Sequence, residues 1–120
     1  MKTIENTYPS PKKYFTVTKK DINNNNALLT NVLYNEMENF VKNIIVSHKE
    51  TVVPTPKLYK LQVLKNAFLN DKLLLKSQII KYNTSELHLL TKVMLHSNTN
   101  DTICKAVFKF SLITPNVMAS

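Results

Sequence analysis

One long helical pattern, preceded by a polar turn and followed by strand-like runs, is the feature that most constrains this chain. Apolar residues recur at spacings of three and four from about Ala27 to His48, which predicts a single amphipathic helix. The turn before it is the asparagine run from Asn23 to Asn26. Asparagine tolerates left-handed backbone and caps helices, so we expect it to replace glycine, which the chain lacks entirely.

The rest of the chain carries strand patterns, in which apolar and polar residues alternate or β-branched, aromatic and other apolar residues are concentrated. A short candidate strand, Lys13 to Thr18, precedes the asparagine turn. The candidates after the helix are Leu58 to Ala67, Lys72 to Tyr82, Glu86 to His96, and Thr102 to Ile113. The short, asparagine-containing connections favour antiparallel hairpins. The prediction is an α+β protein of order β-α-β-β-β-β, with one long helix wrapped by a five-stranded antiparallel sheet.

Length and hydropathy indicate a single globular domain spanning residues 1–120. The chain has 120 residues, of which 43% are hydrophobic, enough for a substantial core. Residues 1–11 show no periodicity and are expected to form a loose arm. No apolar run approaches the ~18 residues of a membrane span, and the N-terminus lacks the apolar stretch of a signal peptide. We therefore expect a cytoplasmic protein that does not enter a membrane.

The charge pattern bears on the partner. The formal net charge is +8, and all sixteen cationic side chains are lysines. Such a bias indicates either an ordinary solvated surface or an anionic partner, such as a nucleic acid or a phosphate-bearing ligand. Arginine, which dominates base readout, is absent, and lysines are spread along the sequence from Lys12 to Lys109. Both features argue against a nucleic-acid partner.

The cysteine and histidine residues do not indicate a metal site or a disulfide. The single cysteine, Cys104, lies in an alternating run and is predicted to be a small core residue rather than a ligand or disulfide partner. His48, His88 and His96 show no metal-ligand spacing. We expect neither a metal nor a cofactor.

Several local matches make the segment from Lys13 to Ile113 resemble the hot-dog fold thioesterase superfamily. Asp21 corresponds to the aspartate that ends the first strand in the 4-hydroxybenzoyl-CoA thioesterase branch. Asn23 corresponds to the second polar residue of that branch's Asp-x-Asp pattern, and Asn26 to a glycine.

The acyl-CoA hydrolase branch supplies further matches. Met37-Glu38 corresponds to its Met-Asp pair, and Thr30-Asn31 stand where it has paired glycines. Downstream, Asn70-Asp71 and Thr84-Ser85 stand where hot-dog enzymes often have Gly-Asp and Ser-Ser. In the family, the helix-start glycines present a backbone amide to the thioester carbonyl.

The resemblance implies a hot-dog protein that hydrolyses an acyl-CoA or acyl-carrier thioester. Glu38 is the first candidate for activating water, and Asp21 is the second. The substrate-binding candidates are Thr30, Asn31 and Asn35. The resemblance also implies a homodimer, or a dimer of dimers, that pairs edge strands and forms its sites between subunits.

Less specific interpretations remain open. Glu38 lies four residues before Lys42, a spacing typical of a surface ion pair. Asp21 precedes a helix, where aspartate often serves as a cap. Because the family glycines are missing, a non-catalytic acyl-thioester or lipid-binding module is the alternative function.

Overall fold

A computed structural model describes residues 11–46, 52–53 and 55–113. Its one α-helix, α1, spans Thr30–Ile45 and follows a short 3₁₀ helix at Lys19–Asp21. The strands are β1 Lys12–Thr16, β2 Lys57–Val63, β3 Lys72–Tyr82, β4 Glu86–Leu95 and β5 Asn98–Ser111. The predicted order is confirmed. The predicted N-terminal arm, apart from Pro11, and the predicted helix end at His48 lie outside the described residues.

The five strands form one antiparallel sheet in the order β1-β3-β4-β5-β2. The tight β3–β4 and β4–β5 connections place these three strands side by side at the centre. β1 and β2, which flank α1 in the sequence, therefore occupy the two edges. Among the described residues, no helix is long and apolar enough to cross a membrane.

The core lies between α1 and one face of the sheet. The helix buries the apolar side chains Leu33, Met37, Phe40, Val41 and Ile45. Each such side chain stabilises the fold by about 1.5–3 kcal/mol when fully buried. A 16-residue helix is marginal by itself, so this packing rather than intrinsic propensity holds α1 in place.

Cys104 lies in this core, as predicted. Its Sγ is 3.8 Å from the Sδ of Met37 on the helix. Burial raises the pKa of the Cys104 thiol to about 11, so the thiol stays protonated at neutral pH.

Two asparagines adopt the left-handed backbone that usually selects glycine. Asn26 has φ 64° and Asn70 has φ 75°. The two turns are in contact, because the amide of Leu69 donates to the carbonyl of Asn26 at 2.9 Å. The amide of Asn70 in turn donates to the carbonyl of Val17 at 2.9 Å. Both asparagines stand at positions that the resemblance matched to glycine, the residue that adopts positive φ most readily.

Replacing Asn26 with alanine is expected to lower the free energy of unfolding by about 1–2 kcal/mol, because a Cβ without a polar side chain disfavours positive φ. Asn26→Gly is expected to match or exceed the parent. Chemical denaturation measures both changes. Asn24→Ala is the matched control, because Asn24 lies in the same exposed run and lacks positive φ. Equal losses in Asn24→Ala and Asn26→Ala would contradict this account.

Candidate functional site

Glu38 lies half-buried on one flank of α1. The hydroxyl of Tyr34, one helical turn earlier, donates to Glu38 Oε2 at 3.3 Å. The Tyr34 ring packs 6.0 Å from the ring of Phe108 on β5. On the opposite flank, Glu36 pairs with Lys13 of β1, with Oε1 and Nζ 3.0 Å apart. Glu38 therefore faces the β5–β2 side of the sheet, and Glu36 faces the β1 side.

The Glu38 carboxylate has one hydrogen-bond donor among the described side chains. Among the described ion pairs there is none between Glu38 and Lys42. Tyr34 donates to one oxygen of Glu38, and none of the described side chains donates to the other. Burial, followed by the nearby Glu38 carboxylate, raises the pKa of Tyr34, so its hydroxyl remains a donor at neutral pH.

The three predicted substrate-binding residues are exposed on α1. Asn35 lies three residues before Glu38, so the two side chains are neighbours on the helix surface. Asn31 lies two turns before Glu38, on the same flank and about 10 Å away along the axis. Thr30 begins the helix, and its N-cap residue Leu29 supplies no side-chain hydrogen bond. The side chain of Leu29 therefore satisfies none of the first-turn amides.

Asp21 occupies a different environment. It lies at the end of the 3₁₀ helix rather than at the end of β1, which stops at Thr16. Its side chain is only 6% exposed. Oδ2 accepts hydrogen bonds from the amide of Thr18 at 2.9 Å and from its hydroxyl at 2.7 Å. The carbonyl of Asp21 also accepts from the amide of Leu29 at 2.8 Å. These contacts fix the turn that leads into α1.

Glu38 and Asp21 do not contact each other and share no described hydrogen-bond partner. Glu38 lies eight residues into α1, about 12 Å along the axis from Thr30. Asp21 precedes the helix and is bonded to Thr18. The local contacts of Asp21 match the capping interpretation, and its catalytic role stays a prediction.

The contribution of Asp21 to stability is expected to depend on pH. The hydrogen bond from the Thr18 backbone lowers the pKa of Asp21, so the native state favours the ionised form. This stabilisation is complete above the unfolded-state pKa of about 3.9 and is lost as pH falls through the lower folded-state pKa. The unfolding free energy of the parent minus that of Asp21→Asn should be constant near neutrality and shrink below about pH 4. A difference that stays constant in acid would contradict the assignment.

The sequence analysis did not identify Tyr34 as a partner of Glu38. It also matched two downstream residue pairs to the family, and the structure places these two pairs far from each other. The available signal for Tyr34 was its four-residue spacing to Glu38, which places the two side chains together on a helix. Asn70-Asp71 lies beside Val17, whose amide donates to the carbonyl of Asp71 at 2.9 Å, and the Asp71 carboxylate accepts from the amide of Phe68 at 2.8 Å. Thr84-Ser85 instead lies in the turn at the other end of β3.

No family model matches the chain, and no curated protein matches it at a significant level. Solved structures do match. An Asp-to-Ala variant of acyl-CoA hydrolase from Staphylococcus aureus aligns with TM-score 0.73 and 14% identity over 84% of this chain, which spans 64% of that protein. A 1,4-dihydroxy-2-naphthoyl-CoA thioesterase from Synechocystis aligns with TM-score 0.68 and 10% identity, covering 88% of this chain and 83% of that one.

A third match is a hypothetical thioesterase from Streptococcus pneumoniae, solved with coenzyme A. It aligns with TM-score 0.66 and 14% identity, covering 84% of this chain and 76% of that one. Identities this low establish the fold alone. The helix, the five-stranded antiparallel sheet and these matches together confirm the predicted hot-dog fold.

Proposed function

We propose that this protein hydrolyses acyl-CoA or acyl-carrier thioesters, with Glu38 activating the attacking water. The observation that carries the proposal is the placement of Glu38, which is half-buried and held through one oxygen by Tyr34, whose ring in turn packs against Phe108. Solved structures of the same fold include an acyl-CoA hydrolase and a hypothetical thioesterase with coenzyme A, which supports the substrate class.

The proposed chemistry is a general-base hydrolysis. Glu38 takes a proton from water as the water oxygen bonds to the thioester carbonyl carbon. Amides at an α1 start, including those of Thr30 and Asn31, stabilise the negative oxygen that forms. The carbon–sulfur bond then breaks, and the proton on Glu38 passes to the departing sulfur. The products are a carboxylic acid and a free thiol.

The distances within one chain argue for a second copy in the site. Thr30 and Glu38 are separated by about 12 Å along the helix. A stabilising donor must lie about 3 Å from the oxyanion, and the base must reach the attacking water. The first-turn amides and the Glu38 carboxylate of one helix therefore cannot act on the same thioester carbonyl. We infer that Glu38 of one subunit works with the helix start of another.

β2 is the proposed contact between subunits. It lies at a sheet edge, and all seven of its residues are exposed. Its side toward α1 carries the apolar residues Leu58, Leu61 and Val63. An exposed apolar edge strand is a ready template for pairing with another strand. Pairing two β2 strands would extend the sheet and bring a second subunit against the flank that carries Glu38.

Thiol release from a panel of acyl-CoA esters of different chain lengths tests the proposal. Saturable turnover is the expected result. Saturable binding without turnover would favour the second candidate function, a non-catalytic module that binds acyl thioesters. The side chains of Thr30 and Asn31 are the reason for considering it. These exposed side chains stand where the resembled hydrolases have glycine, and they narrow the approach to the backbone amides.

A further inference from the structure

Strand register gathers four lysines into one row across the sheet. In register, Lys12 lies opposite Lys76, Lys76 opposite Lys92, and Lys92 opposite Lys105. Neighbouring strands lie about 4.8 Å apart, so this lysine row extends about 14 Å over β1, β3, β4 and β5. Lysines that are spread along the sequence thus become neighbours through strand pairing.

The lysine row lies on the outer face of the sheet, away from α1. Leu75 and Val93, which adjoin two of its lysines in sequence, are buried in the core beneath the helix. Successive side chains on a strand point to opposite faces, so the lysines point outward. The row is therefore separate from the flank that carries Glu38.

Among the described residues, no acidic side chain forms an ion pair with the lysine row. Among the residues that the structure describes, lysine ion pairs use Lys13, Lys65 and Lys81, none of which belongs to the row. Like charges placed directly opposite each other across strands are destabilising. The row therefore imposes a folding cost that an external polyanion would relieve.

Two exposed tyrosines lie on the same face at the two edges of the sheet. Tyr14 of β1 is 46% exposed, with the Lys72 ammonium 5.4 Å from its ring centroid. Tyr59 of β2 is 62% exposed, with the Lys109 ammonium 4.5 Å from its ring centroid. Aromatic rings beside a cationic track are the combination that binds single strands, since the rings stack on bases while ammonium groups contact phosphates.

We propose that this outer face binds single-stranded nucleic acid, with the lysine row along the phosphates and Tyr14 stacking on a base. Lysine acts as a point charge, so the binding is independent of sequence. The apolar side chains between the cations do not suit a bilayer, because Leu74, Met94 and Val107 are buried and offer nothing to insert. Regularly spaced phosphates with stackable bases fit the face better than an anionic membrane does.

The test is fluorescence anisotropy of labelled oligothymidylate titrated with the protein at several salt concentrations. For a single strand, the logarithm of the binding constant falls with the logarithm of salt by about 0.7 per phosphate neutralised, or about 2.8 for the row. Lys76→Gln/Lys92→Gln should reduce that slope by about 1.4. Tyr14→Ala should weaken binding by about 5- to 150-fold.

The matched control is Lys19→Gln/Lys42→Gln, which removes the same charge from exposed positions outside the sheet. Its slope should equal that of the parent. Equal effects of the two double variants would overturn the proposal, as would absent binding at low salt. Tighter binding to duplex DNA or to phosphatidylserine vesicles would also overturn it. Thermal unfolding checks folding, and Lys76→Gln/Lys92→Gln should be at least as stable as the parent because repulsion is removed.

Discussion

Replacing Glu38 with glutamine is expected to lower kcat for acyl-CoA hydrolysis by about 10²- to 10⁴-fold, the usual contribution of a positioned general base. Glutamine keeps the shape of the side chain and can still accept the hydrogen bond from the Tyr34 hydroxyl. It cannot take a proton from water. KM should therefore change little while kcat falls, which steady-state thiol release at saturating substrate measures directly.

Glu36→Gln is the matched control for that experiment. Glu36 lies on the opposite flank of α1, where its partner is Lys13. Its kcat should stay near that of the parent, and Asp21→Asn should behave similarly if Asp21 only fixes the turn. A fully active Glu38→Gln would remove Glu38 from the mechanism. A large loss in Asp21→Asn with native stability would transfer the role to the second candidate.

Replacing Leu61 with lysine is expected to convert the proposed dimer to monomers. Leu61 is 38% exposed and lies on the α1 side of β2, where the second copy would cover it. An unpaired charge buried at an interface costs about 3 kcal/mol or more, so the dimer Kd should rise about 100-fold or more. Sedimentation velocity over a concentration series measures the change, and thiol release should fall with it if the site is shared.

Ile79→Lys provides the same chemical change away from β2. Ile79 is 61% exposed and lies on β3, which pairs with β1 and β4. This variant should remain as dimeric as the parent. A parent protein that is monomeric at every concentration would refute the proposed interface. A dimeric Leu61→Lys variant would locate the interface elsewhere.

Sequence patterns identified the helix and all five strands because apolar, β-branched and aromatic residues mark each of them, including β2, whose seven residues are exposed. β3 has the predicted bounds, Lys72–Tyr82, since tight turns flank it. β5 starts at Asn98 rather than Thr102, because hairpin pairing with β4 extends strand geometry through polar residues that show no apolar alternation. Periodicity tells which face a residue occupies, but not which strand lies beside it. The lysine row consequently became visible only with the register.

The candidate site was predicted in part. Resemblance selected Glu38, but composition and spacing alone left it as one more acid on a helix. The interaction that distinguishes it, with Tyr34 beside Phe108, depends on how α1 is rotated against the sheet. Asp21 was expected at a strand end, yet the chain turns earlier because its carboxylate binds back to Thr18.

The left-handed asparagines Asn26 and Asn70 carry a lesson for recognising remote relatives of this chain. What these turns require is a sign of φ, which is a property of the backbone and not of one residue type. A search pattern that insists on glycine at both positions rejects this chain, and one that accepts glycine or asparagine retains it. Search patterns that accept any residue able to adopt positive φ at these positions should therefore find other glycine-poor sequences with the same fold.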